Sequence, residues 1–368
     1  MRVAGCVYSV ATRADEPALR ELLSSNSLGG WVQLAFQREP DAFAATFGLA
    51  HSHDFIIAYQ ESTGRPVGLC ERFVRDAYVN GEVARLPYLG SLRVNADFRN
   101  RIRILRTGFV AVRDMLGGSR DLPFALTSIT ADNDIARRVL CAGISGFPQY
   151  VPAGEMSTFA IRTRRSRRDP RVEIATDADL PAIARFLRDT YRAYQFAPVW
   201  SDEDLARLAA QRVLPANSYL VSRREGRIVA CVALWDQGAV KQTRICGYSR
   251  PVAIARPLIN AFAPLIGAPR LPRVGSTLKQ VYLSHLAVAG ESAAELTVLL
   301  RAALALARER GFDIAVVGMA ARHPLIGVVR RGWKTREYRS LLHVVQWPGS
   351  AGYNDDASRV PHPEVALM

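Results

Sequence analysis

Four arginines crowd a short segment in the first third of the chain: Arg99, Arg101, Arg103 and Arg106. From Arg99 onward, apolar residues recur at spacings of three and four, which predicts an amphipathic helix. The free backbone N–H groups and the positive dipole end at a helix start form a ready site for phosphate. This segment therefore predicts a phosphate- or diphosphate-binding site surrounded by arginines.

The elements before this helix would place the arginines at the end of a strand. Residues 89–94 are a short apolar run with a single charge, which is typical of a buried strand. Residues 95–97 follow with short polar side chains that can bond free backbone amides, which is typical of a turn or an N-cap. The apolar face predicted for the helix consists of Ile102, Leu105, Phe109, Val112 and Leu116.

This strand, turn and helix resemble the acyl-CoA-binding segment of the GNAT superfamily of acyltransferases. The residues that match the family pattern are Val94, Asp97, Phe98, Arg99 and Arg101. The family's proline is Ala96 here, and its two small residues, which let backbone amides approach the pyrophosphate, are Ile102 and Ile104. The resemblance implies that CoA contacts Leu92, Arg93, Val94, Arg99, Asn100, Arg101, Ile102, Arg103 and Asn133.

The resemblance also implies which groups take part in the chemistry. A thioester is already activated, so the enzyme aligns an amine, accepts its proton and stabilises the developing oxyanion. In the family, a tyrosine protonates the leaving thiolate, and it lies in the helix that follows an asparagine, which resembles Asn133 here. Leu140 stands at that position, so Tyr150 becomes the candidate acid, with a structural tyrosine in a turn as the alternative. The candidate general bases are Tyr88, Glu71 and Ser128.

The two halves of the chain repeat the same patterns in the same order. Three pairs of segments match: 10–19 with 174–183, 55–69 with 219–232, and 88–94 with 282–288. The first pair predicts a short strand followed by an Asp-capped helix, and the second pair predicts a hairpin. The third pair is offset by about thirty further residues, which a proline-rich insertion would supply. Three ordered matches predict a duplicated domain.

The predicted fold class is α/β (α+β), with two tandem GNAT-like domains, each a mixed, mostly antiparallel central sheet flanked by helices. The predicted parts are an N-terminal domain 1–165, a basic linker 166–172, a C-terminal domain 173–348 with an insertion near 239–275, and a tail 349–368. In the family, the acyl-CoA-binding segment contains an Arg or Gln followed by Gly three residues later. The second copy lacks this pattern, so the acyl-CoA site is expected in the first copy. The arginines around the linker are solvated or form a phosphate-binding strip.

Composition favours a soluble protein with an anionic partner. The chain has 48 basic and 34 acidic residues, a formal net charge of +14, and only three lysines, Lys241, Lys279 and Lys334. The excess of basic residues has two alternative explanations: codon bias, or an anionic partner such as CoA, an acidic carrier protein or RNA. The lack of an 18-residue apolar run predicts no membrane span. Five cysteines without metal-ligand spacing predict reduced thiols, a cytoplasmic location and no metal.

Three functional hypotheses follow. The leading one is an N-acyltransferase that moves an acyl group from acetyl-CoA or another acyl-CoA to an amine on a small molecule. A second takes its donor from aminoacyl-tRNA or an acyl carrier protein on the same fold. A third is a catalytically inactive GNAT-like binding protein, because a fold does not fix a function. The sequence makes no prediction of oligomeric state.

Overall fold

The structure, a computed structural model, describes residues 1–3, 5–25, 30–99, 101–116, 118, 120–167, 169–263, 270–354 and 356–368. Asn100, one of the predicted CoA contacts, lies outside the described residues. None of the helices in these ranges is both long enough and apolar enough to cross a membrane.

Strands and helices follow the same order in the two halves around the matching segments. In the first half they are β1 (Arg2–Val3), β2 (Cys6–Val10), α1 (Glu16–Ser24), β3 (Val32–Gln37), β4 (Ser52–Gln60), β5 (Pro66–Val79), β6 (Glu82–Val94), α2 (Ile102–Leu116), β7 (Phe124–Thr130), α3 (Asp134–Leu140) and β8 (Gln149–Arg162). In the second half they are β9 (Val172–Ile174), α4 (Leu180–Tyr191), α5 (Asp202–Ala210), β10 (Tyr219–Arg224), β11 (Arg227–Trp235), β12 (Gln242–Tyr248), α6 (Arg250–Phe262), β13 (Gln280–Val288), α7 (Ala293–Glu309), β14 (Ile314–Ala320), α8 (Ile326–Gly332) and β15 (Thr335–Gln346).

The first long helix of each half begins in the same way because the local sequence is the same. The backbone N–H and the hydroxyl of Thr12 both donate to the Asp15 carboxylate, at 2.8 and 3.0 Å. Thr176 makes the same two bonds to Asp179, both at 2.8 Å. Such a cap satisfies groups that the helix leaves open and fixes the direction in which the chain enters it.

One large sheet runs through both halves. Among the described residues it has thirteen strands, in the order β1, β2, β4, β5, β6, β7, β15, β8, β14, β13, β11, β10 and β9. Two neighbouring pairs are parallel, β6 with β7 and β13 with β14, and the other pairs are antiparallel. Strands β3 and β12 pair separately and connect the two halves a second time. The predicted fold class, with a mixed, mostly antiparallel sheet and flanking helices, is confirmed.

The last strands of the two halves are exchanged. Strand β8 comes from the first half but pairs with β14, from Ile314 opposite Arg162 to Ala320 opposite Met156. Strand β15 comes from the second half but pairs with β7 as well as with β8. The sheets of the two halves are therefore continuous, and the predicted domain boundary at residues 165 and 166 stays a prediction.

Side chains alternate between two cores on opposite faces of the sheet, as the period of a strand requires. Along β4, Ile56 and Ala58 pack under α2, whereas Phe55 and Ile57 pack against α1. Along β11, every second side chain packs against α7 and the others pack against α4 and α5. Both faces of each half are thus covered by helices.

Helix α2 differs from its prediction in two respects. It begins at Ile102 rather than Arg99, because the Asn95 side chain accepts the Asp97 N–H at 3.3 Å and the Arg101 N–H still donates to the Phe98 carbonyl. Its apolar face is also rotated from the predicted one. Ile102 is 40% exposed, whereas Ile104, which was not assigned to the face, is 5% exposed and lies in the core.

Candidate active site

The parallel strands β6 and β7 separate soon after they meet. Their only paired positions in the described ladder are Tyr88 with Leu126 and Leu89 with Thr127. Beyond these residues the two strands enclose a V-shaped gap, which we call the first V. It is formed by the end of β6 on one side and the end of β7 on the other.

A β-bulge in β6 lies at this gap. Leu69 of β5 is opposite Arg93 and Glu71 is opposite Gly90, so Ser91 and Leu92 have only one residue facing them. Ser91 has a φ of 51°, in the left-handed region that residues other than glycine seldom adopt. A bulge takes backbone groups out of the ladder, and backbone strain of this kind is often kept at functional sites.

A large cavity of about 2350 Å3 begins at the bulge and extends toward the second half. Both predicted catalytic tyrosines line it, and so do three of the predicted CoA contacts. These five residues are Tyr88, Tyr150, Leu92, Arg93 and Asn133. Asn133 also caps α3, because its side chain accepts the Ala136 N–H at 3.1 Å. The structure therefore brings the candidate acid Tyr150, the candidate base Tyr88 and part of the candidate donor site to one cavity.

The other predicted CoA contacts that the structure describes are not among the residues of the cavity wall. Val94 borders a small apolar pocket between β6 and α2. Arg99, Arg101, Ile102 and Arg103 surround the start of α2 and are exposed. The predicted phosphate site is thus at the surface, directly after the strand that carries the bulge.

Glu71 is a fixed anion at the bulge. Its carboxylate accepts two bonds from Arg38, each at 2.6 Å, one from His53 at 2.8 Å and one from the Ser91 hydroxyl at 2.8 Å. Burial acts to raise the pKa of Glu71, but the Arg38 charge and the bonds from His53 and Arg38 hold it well below its usual value. A carboxylate so strongly stabilised is a poor general base.

The two tyrosines are held in their protonated form. The Tyr88 hydroxyl shares a hydrogen bond with Ser128 at 2.8 Å, and burial raises the pKa of Tyr88 to about 12. Tyr150 packs against Phe109 and His343, and burial raises the pKa of its hydroxyl strongly as well. At neutral pH both side chains can donate a proton to a developing anion, but neither is suited to remove one from an amine.

Lys241 is a cavity residue that the sequence did not single out as a functional group. It directly precedes β12, and its ammonium group lies 3.3 Å from the carbonyl oxygen of Ala366. Burial and the nearby Arg38 charge lower the pKa of Lys241 to about 7, with Glu71 acting in the opposite direction. Its rarity was the available signal, since all three lysines of the chain line this cavity.

The second half has a matching V, and the tail lies in it. Strands β13 and β14 pair from Gln280 to Tyr282, and a bulge follows at His285, which has a φ of 50°. The Glu364 carboxylate accepts the backbone N–H of His285 at 2.9 Å. Val365 packs so closely on Gly318 of β14 that a Cβ there would lie 2.1 Å from it. The second V is therefore occupied by the chain itself.

Positive charge is concentrated in the cavity. Among the described residues that line it, fourteen are lysine or arginine and two are acidic, Glu71 and Asp313. Both acidic residues are paired, Glu71 with Arg38 and Asp313 with Arg308 at 2.8 Å. The chain as a whole has 48 basic and 34 acidic residues, so the excess in the cavity is far above the average. Such a wall attracts ligands with negative charge.

No family model matches this sequence, and no curated protein sequence matches it significantly. Two structures of Saccharomyces cerevisiae N-myristoyltransferase with bound myristoyl-CoA are similar, with TM-scores of 0.63 and 0.62 at 10% and 9% identity. The alignments cover 99% and 95% of this chain and 88% and 81% of theirs. A GCN5-related N-acetyltransferase from Sphaerobacter thermophilus has a TM-score of 0.56 at 14% identity, over 96% of this chain and 100% of that one.

Similarity at these identities establishes the fold. It extends over nearly the whole chain, so it includes both halves. The chain therefore has the fold of the GNAT superfamily of acyltransferases, as the sequence predicted.

Proposed function

We propose that the protein is an N-acyltransferase that binds an acyl-CoA at the first V and transfers the acyl group to an amine in the cavity. The observation that carries this proposal is the bulge in β6, which takes Ser91 and Leu92 out of the ladder at the wall of the cavity. Backbone amides freed in this way can stabilise the oxyanion that forms when an amine attacks a thioester. Among proteins of the same fold, N-myristoyltransferase has been solved with bound myristoyl-CoA.

The donor is proposed to extend along β6 toward the start of α2. Its diphosphate would be bound by Arg99, Arg101 and Arg103, which are exposed beside the end of β6. Charge-assisted bonds from guanidinium groups to phosphate are strong, and the helix start adds a favourable dipole. Arg93, a partly buried residue of the cavity wall, supplies a further positive charge, and its buried Nε has no hydrogen-bond partner in the described structure.

The acyl group and the leaving thiolate would lie against the first half. Apolar side chains that line the cavity near the bulge can contact the acyl chain, and they are Leu89, Leu92, Phe109, Ile129 and Leu140. Tyr88 and Tyr150 stay protonated at neutral pH, so either can donate a proton to the thiolate as the carbon–sulfur bond breaks.

The acceptor is proposed to be a small-molecule amine that also carries carboxylate or phosphate groups. The cavity wall contributed by the second half supports this, because it is rich in basic residues and its one acidic side chain among the described residues, Asp313, is paired with Arg308. A neutral or cationic amine carries no negative group that would offset the positive electrostatic potential of this wall.

The test is a transfer assay. Acetyl-CoA, octanoyl-CoA and myristoyl-CoA are each incubated with a panel of primary amines, amino acids and short acidic peptides. Thiol release is followed by colorimetry, and products are identified by mass spectrometry. We expect one thiol released for each amide formed, with anionic acceptors preferred. Absence of amide with every pair, in protein that binds the donor, would contradict the proposal.

A second candidate function uses a donor attached to tRNA or to an acyl carrier protein. The observation in its favour is that Arg164 and Arg165, which directly precede the predicted linker, line the same cavity as Arg270 and Arg273. Retention of tRNA or carrier protein on immobilised protein should then fall steeply with salt. Arg164→Ser with Arg165→Ser should abolish it, whereas Arg301→Ser, an exposed change on α7, should not. Retention that is the same in this double variant as in the wild type would exclude this candidate.

The two isoleucines at the family's small positions do not favour an inactive protein. Plugging of the cleft by Ile102 and Ile104 would have supported that hypothesis. Neither residue is among those that line the cavity, since Ile104 packs in the core with Phe98 and Ile102 is exposed. The third hypothesis thus has no observation in its favour.

A further inference from the structure

Lysine is rare in this chain, and its three positions are not scattered. Only three of the 48 basic residues are lysine, and all three line the cavity, although only fourteen basic residues of the described ranges do so. Arginine keeps its charge in a protein at any ordinary pH, whereas lysine can lose its proton when buried. A lysine in an arginine-rich chain therefore indicates a position that needs a side chain able to lose its proton.

Lys241 lies where the two halves meet. In the pairing of β12 with β3, Gln242 is opposite Gln37, so the next residues outward, Lys241 and Arg38, are neighbours. Arg38 binds Glu71, and Glu71 accepts a bond from the Ser91 hydroxyl at the bulge. Lys241 is thus next to the arginine that anchors this cluster, and it lines the same cavity as Ser91 from the opposite half.

The charged groups around Lys241 favour its neutral form. Besides burial, the guanidinium groups of Arg38 and Arg75 disfavour a further positive charge, and Glu71 is the anion that opposes them. Glu71 is already engaged by Arg38, His53 and Ser91. The Ala366 carbonyl fixes the direction of the lysine side chain without neutralising a charge.

The other candidate bases in the cavity are unsuitable for this role. Glu71 is held as a stabilised anion, and Tyr88 and Tyr150 remain protonated. An amine acceptor enters the site as an ammonium ion and must lose a proton before it can attack. A neutral lysine at the same cavity is the group that can take this proton.

We infer that Lys241 is the general base of the transfer, and this inference rests on the proposed acyltransferase function. The neutral amine of Lys241 takes a proton from the acceptor's ammonium group. The acceptor nitrogen forms a bond to the thioester carbon, the carbon–sulfur bond breaks, and the thiolate leaves with a proton from a tyrosine. The acceptor nitrogen loses its second proton, which reprotonates the tyrosine, and the lysine returns its own proton to solvent. One ammonium ion and one thioester thus give one amide, one thiol and one proton.

The first test requires no substrate. With three lysines, protein labelled with 13C at the lysine ε carbon gives few signals, and the Lys241→Arg variant identifies the one that belongs to Lys241. We expect that signal to titrate near pH 7. A Lys241 signal that keeps its ammonium shift up to pH 9 would overturn the inference, whatever the protein catalyses.

The second test uses the best donor and acceptor pair from the transfer assay. We expect Lys241→Arg and Lys241→Met to lower kcat by at least about a hundredfold. The acidic limb of the pH profile of kcat should disappear, and affinity for the acyl-CoA should stay within about twofold. Arg301→Lys, the reverse exchange on an exposed face of α7, should leave kcat, its pH profile and the affinity unchanged.

The outcomes separate the two claims. An unchanged pH profile in an active Lys241→Arg variant would exclude Lys241 as the base and leave the acyltransferase proposal intact. A wild-type protein that forms no amide would contradict the function itself, while the NMR titration would still decide the protonation of Lys241.

Discussion

The bulges in β6 and β13 share a backbone conformation but differ in what lies against them. Ser91 and His285 occupy matching positions in the repeated segments, with φ angles of 51° and 50°. The first bulge faces a large cavity, whereas the second has its amide bonded to Glu364 of the tail. The comparison teaches that the fold supplies two possible sites, and that the surrounding residues decide which one is open.

The residues across from the bulges also differ. Glu71 on β5 is opposite Gly90, and at the equivalent place in the second half Ala233 is opposite Ser284. The first bulge is thus bordered by a buried ion pair, and the second by apolar packing around Trp235. Burial raises the pKa of Glu364 to about 7, whereas the Arg38 charge lowers the pKa of Glu71. The pKa values of the two glutamates are therefore shifted in opposite directions.

Replacement of Glu71 by alanine would make the first bulge like the second, and it should have the largest effect on stability. It leaves Arg38 and His53 buried without their anion, which typically costs about 3–5 kcal/mol in the free energy of unfolding. Urea unfolding measures this. The matched change Asp114→Ala breaks an exposed pair with Arg113 and should cost less than about 0.5 kcal/mol. Similar losses in the two variants would contradict the role of the cluster.

Replacement of Gly318 by alanine tests how tightly the tail fills the second V. The new methyl group would meet the Val365 side chain, so we expect a loss of about 1–3 kcal/mol in the free energy of unfolding. In the Val365→Ala background the contact is relieved, and the loss should shrink by at least half. Additive losses in the double variant would show that the two residues are not in contact.

The change Glu364→Gln tests the pKa difference between the bulges. Because the pKa of Glu364 is raised by burial in the folded protein, its stabilising contribution is complete below its unfolded value of about 4.3 and is lost as the pH rises through 7. The wild type should therefore lose on the order of 2 kcal/mol relative to Glu364→Gln between pH 5 and pH 8. Urea unfolding at each pH measures the difference, and a constant difference would contradict the burial of this carboxylate.

The smallest expected effect concerns the donor site. Arg99→Ala and Arg101→Ala should each weaken binding of acetyl-CoA about tenfold in calorimetry, because each removes one guanidinium from the diphosphate. Arg301→Ala, on the helix that follows the second bulge, should leave the affinity unchanged. Equal weakening by all three variants would mean that only the net charge of the chain matters.

Local features of the structure were predictable from the sequence, because local chemistry determines them. The hairpin predicted within residues 55–69 consists of the antiparallel strands β4 and β5, and the helix predicted within residues 10–19 is the start of α1. The match of residues 88–94 with 282–288 aligned the two bulge residues, although neither strand pattern signals a bulge. Helix periodicity correctly placed Phe109 and Val112 in the core. It wrongly placed Ile102 there, because the turn before α2 is longer than the sequence indicates and Ile102 is the first residue of the helix.

Features that depend on distant parts of the chain were not predictable. The exchange of β8 and β15, the insertion of Glu364 into the second V and the position of Lys241 beside Arg38 all join segments from different halves. Their local sequences carry no pattern that specifies such partners. For Lys241, composition alone gave a signal, since a rare residue type was kept at one cavity.

The central claim is that one V is open to an acyl-CoA and the other is closed by the tail. Native mass spectrometry of the intact protein with increasing acetyl-CoA or myristoyl-CoA counts the donors bound to each chain. We expect saturation at one donor per chain, and weaker loading after Arg99→Ala or Arg101→Ala. Two donors per chain, or none at saturating concentration, would contradict it.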